Sequence, residues 1–125
     1  MRVIIAGSRS ITDYNLVVEA IKDSKFDITE IVCGAAQGVD SLGERYAKEN
    51  KIKLSYFYAD WSGLGKKAGF VRNEQMGNFS DALIAVYDGY SRGTKHMIDF
   101  MQKAKKPVYI KYQTDSNLEK FFGIN

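Results

Sequence analysis

One cysteine, one proline, one histidine and one tryptophan stand among the 125 residues of this chain. A lone Cys33 excludes an internal disulfide and a four-cysteine metal site, and its place after a valine in an apolar run reads as a small buried hydrophobe. A single His96 excludes a histidine-based metal cluster, and no group of carboxylates has the spacing of a metal-binding loop. No metal and no resident cofactor are therefore expected. No apolar run approaches the roughly 20 residues that cross a bilayer, so no membrane partner is expected. The opening MRVIIAG is too short in its apolar part for a signal peptide and reads as a first strand, which leads to an expectation of a cytoplasmic protein. Charge of one sign is also scarce: the net charge is +3, its carriers are dispersed among 15 acids, and only Lys103, Lys105 and Lys106 cluster. On that ground no nucleic-acid partner is expected. Missing too are a G-x-G-x-x-G fingerprint and a Walker A loop, which argues against dinucleotide-dependent redox chemistry and phosphoryl transfer of the usual kinds.

What is present is the composition of an ordinary globular protein, 45% hydrophobic and 26% charged, and enough chain to bury one core. Short apolar runs at residues 3–6, 30–33, 82–87 and 108 to 110 or 112, with a mixed run at 53–58, read as strands. Between them lie helical spacings. Thr12 or Asp13 caps a helix over 14–25; further helices are expected through Leu42, Tyr46 and Ala47 to Asn50, over 67–78 with Ala68, Val71, Gln75 and Phe79 on one face, and over 94–105. Pro107 follows the last of these, where it ends a helix and opens a strand. Residues 59–65 read as the longest irregular connection, and Ser116 as the cap of a short final helix over 118–122.

Strands alternating with helices imply an α/β fold: one three-layer sandwich spanning residues 1–125, with a five-stranded parallel sheet in the order 3-2-1-4-5. In such a sheet ligands sit at the carboxyl ends of the strands where the order reverses, here between strands 1 and 4. Three small-residue turns converge there: Gly7 to Ser10, Gly34 to Asp40 and Asp88 to Thr94. The last joins strand to helix, where unpaired amides at the positive end of a helix dipole favour an anion. Gly89 and Gly93 permit close approach of backbone, while Ser91 and Thr94 cap the helix or contact the anion. In the first turn Arg9, between the hydroxyls of Ser8 and Ser10, is either a solvated loop residue or, favoured by where the strand ends, a bidentate phosphate contact. Asp40 caps its helix or accepts from a ribose hydroxyl, and the two roles are compatible. Trp61, Lys66, Lys67, Arg72, Asn73 and Glu74 either form a solvated helix face with a packing anchor or receive a purine and its phosphate. Asp81, Asp88, Asp99, Glu74 and His96 are the groups that could act on a substrate; His96, in the first turn of its helix, reads as exposed and not catalytic, and Asp88, at the end of strand 4, is the best placed for attack on an anomeric carbon.

The motifs GSR at 7–9, GAAQGVD at 34–40, ADW at 59–61, GKKAGFVRNEQM at 65–76 and DALIAVYDGYSRGTKHMI at 81–98 follow one another in the order of a known superfamily. The chain resembles the SLOG superfamily, the Rossmann-like group containing the Smf/DprA and Lonely Guy proteins, and most closely its YspA-like branch. The resemblance implies a nucleotide or nucleotide-derived ligand, with Arg72 and Asn73 matching an arginine-containing helix motif and Gly93-Thr94 a phosphate-binding turn. It further implies a homodimer paired through helices beside the site. Gly7, Ser8, Arg9, Gly34, Gly38, Asp40, Trp61, Arg72, Asn73, Asp88, Gly89, Ser91, Gly93 and Thr94 are then the expected binding residues, with Asp88 and Glu74 as the catalytic pair if the ligand is cleaved. Lonely Guy enzymes carry Gly-Gly-x-Gly-Thr-x-x-Glu. Here Met97 stands where that glutamate falls, which counts against phosphoribohydrolase activity. The expected function is binding of a nucleotide or a signal made from one, such as an ADP-ribose derivative, as a sensor or sequestering protein. The alternatives are an N-glycosidase or deoxyribosyltransferase, and an interaction module without a ligand.

Overall fold

The computed structural model describes residues 1–113, so the expected helix over 118–122 lies outside the described residues. Its strands are β1 (Arg2–Gly7), β2 (Glu30–Cys33), β3 (Lys53–Tyr56), β4 (Ala82–Tyr87) and β5 (Val108–Tyr112). They pair in parallel in the order β3-β2-β1-β4-β5, as the alternation of apolar runs and helical spacings implies. The helices are α1 (Tyr14–Ser24), α2 (Val39–Glu49), a single turn α3 (Trp61–Leu64), α4 (Ala68–Phe79) and α5 (Arg92–Lys103), with a 3-10 turn at Gly65–Lys67 before α4.

Alternation along the strands builds two cores. Val3, Ile5, Ile31, Ile84 and Val86 face one side and pack with Val17, Ala20 and Ile21 of α1 and Val39 and Ala47 of α2. Ile4, Val32, Leu83 and Ala85 face the other and pack with Met76 of α4 and Met97, Ile98 and Met101 of α5. Because both faces are covered, every residue of β4 is buried. Cys33 lies in the first core, 1% exposed.

Some local expectations need correction. Residues 59–65 are not wholly irregular: Asp60 caps α3, its Oδ1 accepting from the Gly63 amide at 2.9 Å. The third strand is shorter than the run at 53–58, ending at Tyr56, with Phe57 and Tyr58 beyond it. The Phe57 amide makes one more bond, to the Cys33 carbonyl at 2.9 Å, and its ring turns against Phe79. The buried side of α4 is Ala68, Asn73, Met76 and Gly77, while Gln75 is exposed. Asn73 is buried because its amide is hydrogen-bonded, and Gly77 because Phe100 of α5 packs where a side chain would be. The basic group at 103–106 lies at the end of α5, and one of its lysines reaches another helix. Lys106 Nζ donates to the carbonyls of Gly77 and Ser80 at 2.7 and 2.8 Å, closing the carboxyl end of α4.

Candidate functional site

β1 leads into α1 on one face of the sheet and β4 leads into α5 on the other, so a crevice opens where these neighbouring strands end. Two hydrogen bonds stitch its floor. The Ser8 amide donates to the Val86 carbonyl at 3.1 Å, and the Asp88 amide donates to Ser8 Oγ at 3.0 Å. Above them lies a cleft of about 390 Å³ lined by side chains of Arg9, Ser10, Asp40, Arg72, Asp88 and Thr94 among others. That volume falls in the range of small-molecule sites.

At the third turn Asp88 Oδ1 accepts from the amides of Tyr90 and Ser91 at 2.8 and 3.0 Å, which fixes the approach to α5. The Tyr90 amide, assisted by that of Ser91 and the Ser8 hydroxyl, holds the Asp88 carboxyl below its ordinary range despite partial burial. Ser91 caps α5: its Oγ accepts from the Thr94 amide at 3.3 Å and lies 2.9 Å from Thr94 Oγ1. The Arg92 and Gly93 amides have no protein acceptor among the described residues, so they remain free to meet an anion.

The second turn brings Gly38, at φ +70, to the start of α2, where a Cβ would lie 2.5 Å from the Arg9 carbonyl. Gly38 therefore shapes the turn and does not line the cleft. Asp40 is only 7% exposed, and its Oδ2 accepts from the Ala36 amide at 3.3 Å. It makes no hydrogen bond that caps α2. Burial pushes its pKa up to about 6, against the pull of the Ala36 amide, Arg72 and Arg9.

Arg72 reaches across from α4. Its Nη1 donates to the Gly34 carbonyl and its Nε to Asn73 Oδ1 at 3.2 Å. Burial lowers its pKa, offset by Asp40 and reinforced by Arg9. A Cβ at Gly34 would lie 2.8 Å from Arg72 Nη1 and 2.9 Å from Asp40 Oδ2, so a side chain there would displace these tips. Asn73 does not reach outward; its Nδ2 donates to the Gly93 carbonyl at 3.1 Å and lies 3.3 Å from His96 Nδ1, so it ties α4 to the first turn of α5. Neither Arg9 nor Arg72 has a carboxylate within 4.0 Å among the described residues.

Gly7, Arg9, Asp40, Arg72, Asn73, Asp88, Ser91, Gly93 and Thr94 thus meet at one cleft as the motifs suggest. Ser8 is buried beneath it, Gly89 sits in the turn before α5 at φ +90, and Gly34 and Trp61 belong to an adjoining hollow. Glu74 does not join Asp88: it is exposed on α4, with Oε2 3.7 Å from His96 Nε2. His96 is half-buried against Phe70 and Asn73, not free in solvent. Sequence reasoning misses Ala36 and Met76 in the cleft wall, and Gln37 and Tyr58 around the adjoining hollow. Gln37 lies inside the motif at 34–40, so only its orientation is hidden from the sequence.

A doubly wound sheet with a polar, arginine-bearing cleft at its switch point defines a Rossmann-like α/β protein. The chain belongs to the YspA, cpYpsA-related SLOG family, which it matches over residues 1–63. It is 35% identical over 117 residues to the Gene 61 protein of Mycobacterium phage D29, covering 86% of this chain and 93% of that protein. Among solved structures, DNA processing protein A (DprA) from Streptococcus pneumoniae superposes with a TM-score of 0.72 at 16% identity, over 87% of this chain and 49% of that one. The chain therefore spans about half the length of that protein. DNA processing protein A from Helicobacter pylori, whose structure concerns a single-stranded DNA binding mode, gives a TM-score of 0.65 at 21% identity, over 99% of this chain and 73% of that one. At these identities the likeness is one of fold. It nevertheless overturns the expectation that no nucleic acid is involved. That expectation rested on dispersed charge alone.

Proposed function

We propose that the chain binds a phosphate-bearing nucleotide unit at the carboxyl ends of β1 and β4. The observation that carries this reading is the pair of guanidiniums, Arg9 and Arg72, that border the cleft without a carboxylate partner within 4.0 Å among the described residues. Two unpaired cations beside free amides at a helix start suit a phosphate by charge and by donor geometry. Asp40, Asp88 and Ser10 supply acceptors for sugar hydroxyls nearby. The protein acts on this reading as a sensor or sequestering protein. Binding is favoured over cleavage because Met97, 1% exposed in the cleft wall, presents a thioether where the Lonely Guy pattern has its glutamate.

The nucleotide unit has two sources to distinguish, a free nucleotide or one residue of a single strand; the DprA neighbours favour testing the second beside the first. The experiment is a thermal-shift series with AMP, ADP-ribose, NAD, cyclic dinucleotides and short single-stranded oligonucleotides, with chromatography of each probe afterwards. A bound probe at a hundredfold its Kd stabilises by about 2.7 kcal/mol. Arg9→Ala, which removes a side chain exposed on a loop, should leave the fold intact and weaken binding about tenfold or more. Recovery of free base would replace binding with N-glycosidic cleavage, and an Arg9→Ala protein with unchanged affinity would remove the arginine pair from the site.

A further inference from the structure

The motifs assign Trp61 to a base beside Asp40, but the two residues do not share a cavity. The cleft that holds Asp40 and Asp88 ends at Arg9 and Arg72. Beyond the arginines lies a second hollow of about 380 Å³, walled by Gln37, Tyr58, Ala59 and Trp61. A smaller one, about 150 Å³, runs along the α4 side of the indole past Lys66 and Phe70. Arg9 and Arg72 border all three spaces.

The two larger spaces differ in chemistry. The inner cleft offers the carboxylates of Asp40 and Asp88 and the hydroxyls of Ser10, Ser91 and Thr94, which accept from sugar hydroxyls. The outer hollow offers aromatic rings with open area: Trp61 is 53% exposed and Tyr58 70% exposed. These rings are held, not loose. Asp60 caps the turn that bears Trp61, the indole lies against Gly69, where a Cβ would come within 3.3 Å of it, and Tyr58 stacks on Tyr56 at 5.9 Å between centroids. Half-exposed aromatic rings beside arginines are suited to stacking a base.

From this division we infer that the ligand is a two-unit molecule. Its base and first sugar occupy the outer hollow against Trp61, its bridging phosphate lies on Arg9 and Arg72, and a second sugar unit occupies the inner cleft. The inference rests on the phosphate reading above and narrows it, since a mononucleotide would fill only one side of the arginine pair. The shared chemistry, nucleoside-phosphate-sugar, occurs in pyrophosphate-bridged small molecules and in a dinucleotide step of a single strand.

The test is calorimetric titration of the full chain with AMP, ADP-ribose and the single-stranded dinucleotide pTpT. At least one two-unit probe should bind about tenfold or more tightly than AMP, and which one does so identifies the source. Trp61→Ala should bring that probe to within a few fold of AMP, while Trp61→Phe, which keeps a ring, should retain most of the difference. Arg9→Ala should weaken every probe. AMP binding as tightly as both two-unit probes, or Trp61→Ala leaving the preference intact, overturns the two-unit ligand and leaves the phosphate site standing. Failure of all three probes to bind overturns both, because each carries the phosphate on which both rest.

Discussion

Asp40 is a carboxyl that the fold holds at a cost. Its ordinary pKa of 3.8 is raised to about 6, so between those values the folded protein binds a proton that the unfolded chain has released. Stability from this residue is therefore greatest below pH 4, falls as pH rises through 4 to 6, and stays lower above that. The loss at neutral pH is on the order of 2–3 kcal/mol, little screened because the group is buried. Asp40→Asn should consequently raise Tm at pH 7.5 by several degrees relative to the unaltered protein, and the gap should close toward pH 4. Paired melts at several pH values check this. Glu30, Glu44, Glu49 and Asp88, whose pKa values are lowered, act in the opposite direction but equally in both proteins, so they cancel in the difference. Gly34 is the second residue whose role is set by contacts: Gly34→Ala should push Arg72 off its carbonyl anchor, costing about 1–3 kcal/mol and lowering affinity for any phosphate-bearing probe. Denaturant melts and titration read the two effects separately. At this scale Arg9, Asp40 and Arg72 were legible because each lies in a motif that ends a strand or opens a helix. Trp61 and Glu74 were not, because their direction depends on how α3 and α4 settle on the sheet.

Among the elements, α5 brings its capped first turn to the cleft, opposite Asp40 in the first turn of α2. Ser91 supplies the cap, and Asp88 fixes the chain that leads into it. Ser91→Ala removes the acceptor of the Thr94 amide and should destabilise by about 1 kcal/mol, within the usual cost of losing a serine cap. A lower denaturant midpoint with an unchanged slope would confirm a loss confined to the cap. The serine-rich turn announced this cap in the sequence. The packed face of α4 was less readable, since its inward positions include Asn73 and Gly77, and neither looks apolar. Asn73 is inside because its amide serves Gly93 and Arg72, a partnership that forms only once α4 and α5 are adjacent. Helical periodicity reports apolar faces and misses a polar side chain buried for its hydrogen bonds.

For the whole molecule, strand order and the position of the cleft followed from the alternation of elements, because parallel strands need crossovers and crossovers leave few arrangements. A net charge of +3 does not decide for or against a nucleic-acid partner, and the structure shows how that charge is distributed. Much of the surface charge is locally paired, as in Arg45 with Glu49, Lys48 with Glu44, Lys95 with Asp99 and Lys111 with Asp23. Among the described residues, Arg9 and Arg72 at the cleft and Lys66 in the small hollow beside them have no such partner. A single strand bound there would release few counterions. With two or three cations engaged, the slope of log affinity against log salt should be only about −1.4 to −2, and affinity should stop rising beyond a few nucleotides of length. Titrations of oligo-dT of increasing length at several salt concentrations measure both. A slope of about −4 or steeper, with affinity still growing at about ten nucleotides, would place the strand across the paired surface cations instead and would separate nucleic-acid binding from the arginine cleft.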